Sequence, residues 1–224
     1  MVAGTRELLR RRELALERGE APLGWKLAFG TPAARQRLGL AGPVLGCLTD
    51  ANLLDPEATV GVGGWEHPVL EAEIGIHLGR DVAAGVSPGE AAEAIAGLGP
   101  AIEVADVDLP PERLADVIGT GIYLRGVVAA PATERRAGAS ADDLSVTVRR
   151  RGEVCAQAPD PQQLVGRPAE VVAYVADYLA AFGETLRAGE LVISGSTIGH
   201  VEVEPGDTFD YALDPIGRLA MAFA

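Results

Sequence analysis
The chain has 224 residues, enough for one large domain or two small ones, and 48% of them are hydrophobic, which is ample for a packed core. Its formal net charge of −13 argues against nucleic acid and anionic membrane as partners, because both are polyanions, and requires a local cation or metal to draw in any anionic substrate. Two cysteines, Cys47 and Cys155, form neither a disulfide framework nor a zinc pattern, and no run approaches the ~18 apolar residues of a membrane span. Residues 1–20 are too rich in Arg and Glu for a signal peptide, so a cytoplasmic protein is expected.

Residues 5–18 predict a helix whose narrow stripe of Leu8, Leu9, Ala15 and Leu16 is closed by Gly19. Most of its surface is charged, which sends the N-terminal segment 1–20 to the outside of the core or onto a second subunit of a homo-oligomer. Gly24 to Gly30 reads as a short buried strand bounded by glycines, and Lys26 is its one charge. A lysine there either snorkels to the surface or faces an anion. Thr31-Pro32 is a cap and first-turn pair, so residues 32–38 predict a short helix stopped at Gly39. Residues 42–64, rich in Gly and Pro between short apolar runs, predict a small β-meander.

The stretch Pro68–Leu78 alternates strictly. Leu70, Ala72, Ile74, Ile76 and Leu78 share one face of a strand, and Glu71, Glu73, Gly75 and His77 share the other. Glu71 and Glu73 therefore point the same way beside a packed interior, where ionised carboxylates need a counter-charge. A divalent metal bound through oxygen is one candidate; a solvated acidic face is the alternative. Ser87-Pro88-Gly89-Glu90 is a capping box that opens a helix running to about Leu98, before Gly99-Pro100. Ala101 to Val107 is β-leaning and carries Glu103 within it. One or two helical turns at 112–117, a strand from Gly119 to Val128 and a polar loop over 130–143 follow. Residues 144–149 and 153–157 predict a hairpin turning near Arg151-Gly152, with Arg149, Arg150 and Arg151 as solvated tip charges. After Pro168, Val171, Val172, Tyr174, Val175, Tyr178, Leu179 and Phe182 hold helical spacing up to Gly183. Four strands close the chain, at 190–194, 201–204, 208–213 and 219–223. The mixture predicts an α+β fold, with the whole of 1–224 as one catalytic domain.

Taken in order, Gly24-Trp25-Lys26, Pro68-Val69-Leu70-Glu71-Ala72-Glu73-Ile74, Pro100-Ala101-Ile102-Glu103-Val104-Ala105-Asp106, Ile193-Ser194-Gly195-Ser196 and Pro205-Gly206-Asp207 resemble the fumarylacetoacetate hydrolase superfamily. The branch most similar is that of 2-keto-4-pentenoate hydratase and oxalocrotonate decarboxylase. The resemblance runs from about residue 20 to the C-terminus. It implies a mixed β-sheet roll or barrel-like core with flanking helices, and a Mg²⁺ or Mn²⁺ ion on Glu71, Glu73 and Glu103. It also implies a small 2-oxo acid substrate activated as a metal-chelated enolate, Lys26 stabilising the enolate or moving a proton, and Ser194, Gly195 and Ser196 binding the substrate carboxylate. The expected activity is that of a divalent-metal-dependent lyase, by hydration or decarboxylation. An acylpyruvate-type C–C hydrolase and a non-catalytic relative used for binding or assembly are the alternatives. The substrate shell departs from the branch: Val44 stands in Pro43-Val44-Leu45-Gly46 where the branch has an aspartate, and Asp106-Val107-Asp108 lacks the branch's arginine. Decarboxylation needs only the electron sink and tolerates the Val44 change more easily than water addition. Asp50 and His67 are candidates for an alternative proton path, each with a structural role as its rival reading.

Overall fold
The computed structural model describes residues 1–131 and 134–224. In chain order, α1 (Val2–Glu17) leads into β1 (Pro22–Ala28), α2 (Pro32–Leu38) and β2 (Val44–Thr49). A 3-10 turn at Asp50–Asn52 precedes the two-residue β3 (Thr59–Val60), then β4 (Pro68–Leu78), α3 (Pro88–Ala94) and β5 (Ile95–Asp106). Next come α4 (Leu114–Gly119), β6 (Leu124–Ala129), β7 (Arg136–Ala137), and the hairpin of β8 (Ser145–Arg150) and β9 (Glu153–Ala158). The chain ends with α5 (Gln162–Val165), α6 (Pro168–Ala180), β10 (Leu191–Glu202), β11 (Thr208–Asp214) and β12 (Gly217–Phe223). None of the described helices is long and apolar enough to cross a membrane.

The strands form two sheets. The larger is a curled, mixed sheet in the order β2-β1-β10-β4-β5-β6, with β7 beside β5; the smaller has the order β3-β12-β11-β8-β9. In the larger sheet β1 runs parallel to β10 and the other pairings are antiparallel. The contact between β1 and β10 depends on Gly24, whose φ is +149° and where a Cβ would lie 1.8 Å from the Leu191 carbonyl oxygen. The alternation of β4 divides its side chains as predicted. Leu70, Ala72, Ile74 and Ile76 face a core shared with α3, α6 and the smaller sheet, in which Val172, Val175, Phe209 and Tyr211 are fully buried. The opposite, inner face of the larger sheet carries a second small cluster of Leu48, Ala101, Val127, Leu191 and Ile193. Both faces of β4 are therefore covered, and Glu73 on the inner face is wholly buried.

Local signals fix the helix starts. Thr31 caps α2 by accepting from the Ala34 N–H, and Gly39 ends it in the left-handed region. The Ser87–Glu90 capping box is formed, with the Ser87 N–H donating to Glu90 at 2.8 Å. Helix α1 begins at Val2, earlier than predicted, and packs against α4 and β2. Several expectations are corrected, most of them where long-range pairing overrides local preference. The 42–64 region is no meander, since β2 joins the larger sheet and β3 the smaller. Helix α3 stops at Ala94, not Leu98, because residues 95–106 make one strand paired with β4 along most of its length. Residues 119–123 belong to the end of α4 and a turn, so β6 starts only at Leu124. The strands expected at 190–194 and 201–204 are one element, β10, whose register against β4 shifts twice, between Ile193 and Ser196 and between Ser196 and His200. The loop expected over 130–143 contains the short β7, and its residues 132 and 133 lie outside the described residues.

The hairpin-tip arginines are also not simply solvated. Arg149 donates to the Gly152 carbonyl at the tip. Arg150 and Arg151 instead reach Asp207 at 2.6 and 2.7 Å, and Asp207 is fully buried and accepts from the Glu204 N–H at 2.8 Å. This carboxylate ties the hairpin to the turn before β11. Asp207→Ala should lower unfolding free energy in a urea titration by about 2–3 kcal/mol, less than a fully buried pair because Arg151 remains largely in water.

Candidate active site
The site is built by strand register. Glu71 on β4 stands directly opposite Glu103 on β5, and residues directly opposite in an antiparallel pair share a face. Glu73 lies two residues on along the same face. Carboxylate oxygens of Glu71, Glu73 and Glu103 all fall within 4.8 Å of one another, with Glu73 and Glu103 buried and Glu71 partly so. Lys26 arrives from β1, beyond β10, and is 2% exposed. Its Nζ forms an ion pair with Glu103 and donates to the Ile122 carbonyl at 2.9 Å. Lys26 therefore does not snorkel; it faces an anion. The stem of that lysine crosses Gly46 on β2, where a Cβ would lie 2.7 Å from Lys26 Cγ. No other residue type leaves the lysine this course.

Hydrogen bonds hold the acids in place. The Gly195 N–H donates to Glu73 Oε2 at 2.8 Å. The Tyr211 hydroxyl, from the smaller sheet, donates to the Glu73 carbonyl at 2.9 Å, and the Thr197 hydroxyl donates to the Ala72 carbonyl at 2.7 Å. Glu73 Oε1 and Glu103 Oε2 are buried with no hydrogen-bond partner among the described residues. Burial is the largest cause of unusual acidity here. It pushes Glu73 well above the usual carboxylate range, reinforced by the charges of Glu103 and Glu71. It holds Glu103 up to about 7, against the opposing pull of Lys26. Three convergent carboxylates with two unpartnered buried oxygens are a hard, all-oxygen donor set, which fits a divalent cation such as Mg²⁺, Mn²⁺ or Ca²⁺.

Glu71, Glu103 and Lys26 line a cavity of about 510 Å³, with Glu73 buried behind them. Ser194, Gly195 and Ser196 line it, but their polar groups are engaged. The Ser194 hydroxyl accepts from the Ile74 N–H at 3.1 Å and donates to the Gly195 carbonyl at 2.9 Å, and the Ser196 hydroxyl donates to the Gly199 carbonyl at 2.6 Å. Phe29, Ile122 and Tyr123 line it with φ of 55°, 56° and 66°, a left-handed conformation rare for such bulky residues. At Ile122 that backbone presents the carbonyl to Lys26. Sequence reasoning missed these three, because no residue type marks a strained non-glycine position. It also missed His200, which lines the cavity from β10 directly opposite Glu71. Of the other candidates, Val44 is buried in a cluster with Leu8, Val117, Ile118 and Ile122. Asp50 accepts from the Ala21 N–H, and His67 donates through its backbone to Asp106; none of these three lines the cavity. Arg125, near the position of the missing arginine, is occupied with Asp106 and Asp108.

Residues 30–224 match the family profile described as fumarylacetoacetate (FAA) hydrolase, C-terminal. Over 212 residues the chain is 29% identical to 2-keto-4-pentenoate hydratase of Paraburkholderia xenovorans, covering 92% of this chain and 77% of the relative. It is 28% identical to 2-hydroxyhexa-2,4-dienoate hydratase of Comamonas testosteroni, covering 96% and 82%. The fold is shared with 4-oxalocrotonate decarboxylase from Pseudomonas putida, solved with magnesium and adipate. That match has a TM-score of 0.87 at 23% identity and covers 97% of this chain and 83% of that one.

Two expectations follow from the geometry. Glu103 sits near pH 7 in the folded chain and at 4.5 when unperturbed, so between those values the folded state binds more protons. Its contribution to stability is full below the lower value and lost as pH rises through the upper. The melting temperature of EDTA-treated protein should therefore fall as pH rises across that window. The rise produced by Mg²⁺ should be larger at the alkaline end, because metal binding displaces the proton. Glu103→Gln should weaken both trends in a thermal-shift series, Glu73 supplying the part that remains. Gly46→Ala should displace Lys26 and cost about 1–3 kcal/mol in chemical denaturation, the usual penalty for overpacking.

Proposed function
The chain belongs to the fumarylacetoacetate hydrolase family, and from that premise we propose that it is a metal-dependent lyase acting on a small 2-oxo acid, by hydration or decarboxylation. The observation that carries the reading is the convergence of Glu71, Glu73 and Glu103 with Lys26 beside them, where Glu71, Glu103 and Lys26 line a cavity large enough for a small organic acid. The three glutamates would hold a divalent ion, Mg²⁺ or Mn²⁺, which supplies Lewis-acid stabilisation of negative charge on the carboxylate and 2-oxo oxygens of the substrate.

The remaining chemistry falls to the chain's own groups. An ammonium has three donors, and Lys26 spends two on Glu103 and the Ile122 carbonyl. The third is left for the cavity that Lys26 lines, where it stabilises an enolate oxygen or delivers a proton. The Ser194–Gly195–Ser196 turn bounds the carboxylate end, and its internal hydrogen bonds set its shape before substrate arrives. The whole chain acts as one catalytic unit in this reading, since Tyr211 of the smaller sheet holds the strand that carries Glu73.

A panel of 2-oxo acids and 2-hydroxydienoates assayed with Mg²⁺ tests it. Turnover should disappear with EDTA and return with Mg²⁺ or Mn²⁺. Lys26→Met should keep the fold and lower kcat by about 10²–10⁴, the usual share of a general acid–base group. Arginine at that position should restore little, being bulkier and unable to release a proton. Metal-independent turnover, or full activity of Lys26→Met, would refute the assignment.

A further inference from the structure
The cavity has two ends of different chemistry. At one end stand Glu71 and Glu103 with Glu73 buried behind them, Lys26, the Ser194–Ser196 turn and His200, the last directly across the strand pair from Glu71. The rest of the wall is apolar, and Phe29, Leu38, Pro43, Ile122, Tyr123 and Leu164 carry it. The polar side chains on that side already have partners. The Tyr123 hydroxyl donates to the Leu109 carbonyl at 2.9 Å, so the residue presents its ring, which meets Phe29 edge-on at 6.4 Å. Thr31 Oγ1 accepts from the Ala34 N–H as the cap of α2. Arg37, the cation on this side, is 61% exposed at the rim and pairs with Glu112 at 3.1 Å. Nothing among the described residues on this wall offers an unpaired, buried cation to a second carboxylate. The volume, about 510 Å³, is in the range that holds drug-sized ligands and exceeds what a five-carbon acid fills.

Resting on the reading of the metal end given above, we propose that the substrate carries a single carboxylate, on the 2-oxo end, and an extended apolar tail, longer than the five- and six-carbon acids in the relatives' names, which lies against the Phe29–Tyr123–Leu164 wall. Such a substrate has no distal carboxylate to lose. The reaction consistent with it is the addition or elimination of water: hydroxide and a proton add across a carbon–carbon double bond of the dienoate, or leave the corresponding 4-hydroxy-2-oxo acid. No oxidant, reductant or further reactant is needed.

Calorimetric titration of the Mg²⁺-loaded protein with saturated 2-oxo acids tests this without relying on turnover. The probes are pyruvate, 2-oxopentanoate, 2-oxohexanoate, 2-oxooctanoate and 2-oxoadipate, each repeated with EDTA. Affinity should rise by about fourfold for each added methylene, as for apolar surface leaving water. 2-Oxoadipate should bind more weakly than 2-oxohexanoate of the same length. Leu164→Glu, at a surface position that tolerates charge, should flatten the series so that 2-oxooctanoate binds no better than 2-oxopentanoate. A flat series in the parent protein overturns the proposal, as does 2-oxoadipate binding more tightly than 2-oxohexanoate with that advantage lost in Arg37→Ala. Absence of metal-dependent binding by all five acids instead overturns the reading of the metal end, and this inference with it.

Discussion
Three carboxylates gathered within 4.8 Å in a largely dry interior, with one lysine for company, are the constraint around which this structure is arranged. Removing an ion from water costs several kcal/mol even after relaxation, and one ammonium cannot balance three anions. The protein has two ways to satisfy the surplus: keep protons on Glu73 and Glu103, whose affinity for them burial raises, or admit a cation. A hydrophobic core at this position would be more stable and would have no chemistry.

Holding such a cluster together requires rigid support, and the support is concentrated on three consecutive residues of β4. The Ala72 carbonyl accepts from Thr197, the Glu73 carbonyl from Tyr211, and the Ile74 N–H donates to Ser194. These partners come from β10 and from the second sheet, so the strand is pinned from two directions. The irregular register of β10 against β4 belongs to the same design: where the ladder slips, side chains of β10 take over hydrogen bonds that a regular strand would have made with its backbone. Glu73 is thus fixed at both its side chain and its main chain, which keeps the space between the acids at its size.

What could be read beforehand was what local chemistry determines. The period-two pattern of Pro68–Leu78 identified the central strand and its acidic face, and Thr31-Pro32 with Gly39 bounded α2 to the residue. The third acid and the lysine were legible as charges set into apolar runs, where each needs a reason. Residues 95–98 were misread because Ile95-Ala96-Gly97-Leu98 continues an alanine-rich helical segment and only pairing with β4 makes them extended. The 42–64 region failed for a similar reason, since nothing in a short apolar run says which sheet it will join. Arg150 and Arg151 meet an aspartate more than fifty residues away, and Ile122 and Tyr123 are left-handed although neither is a glycine. The convergence of the acids and Lys26 was therefore visible in outline, and the walls of the cavity were not.

Those walls come from parts of the chain that contribute little to the core. Helix α2, which brings Thr31, Arg37 and Leu38 to the cavity, has no fully buried residue, and neither does α5, which brings Leu164 and Val165. The acids and Lys26, by contrast, sit on strands buried on both faces. Selection acting on α2 and α5 meets almost no stability threshold, because exchanging a half-exposed side chain there leaves no void and strands no polar group. Single replacements on α2 and α5 can accordingly reshape the cavity wall at little cost in stability, whereas replacements on β1, β4 and β5 at the acids and Lys26 disturb strands buried on both faces.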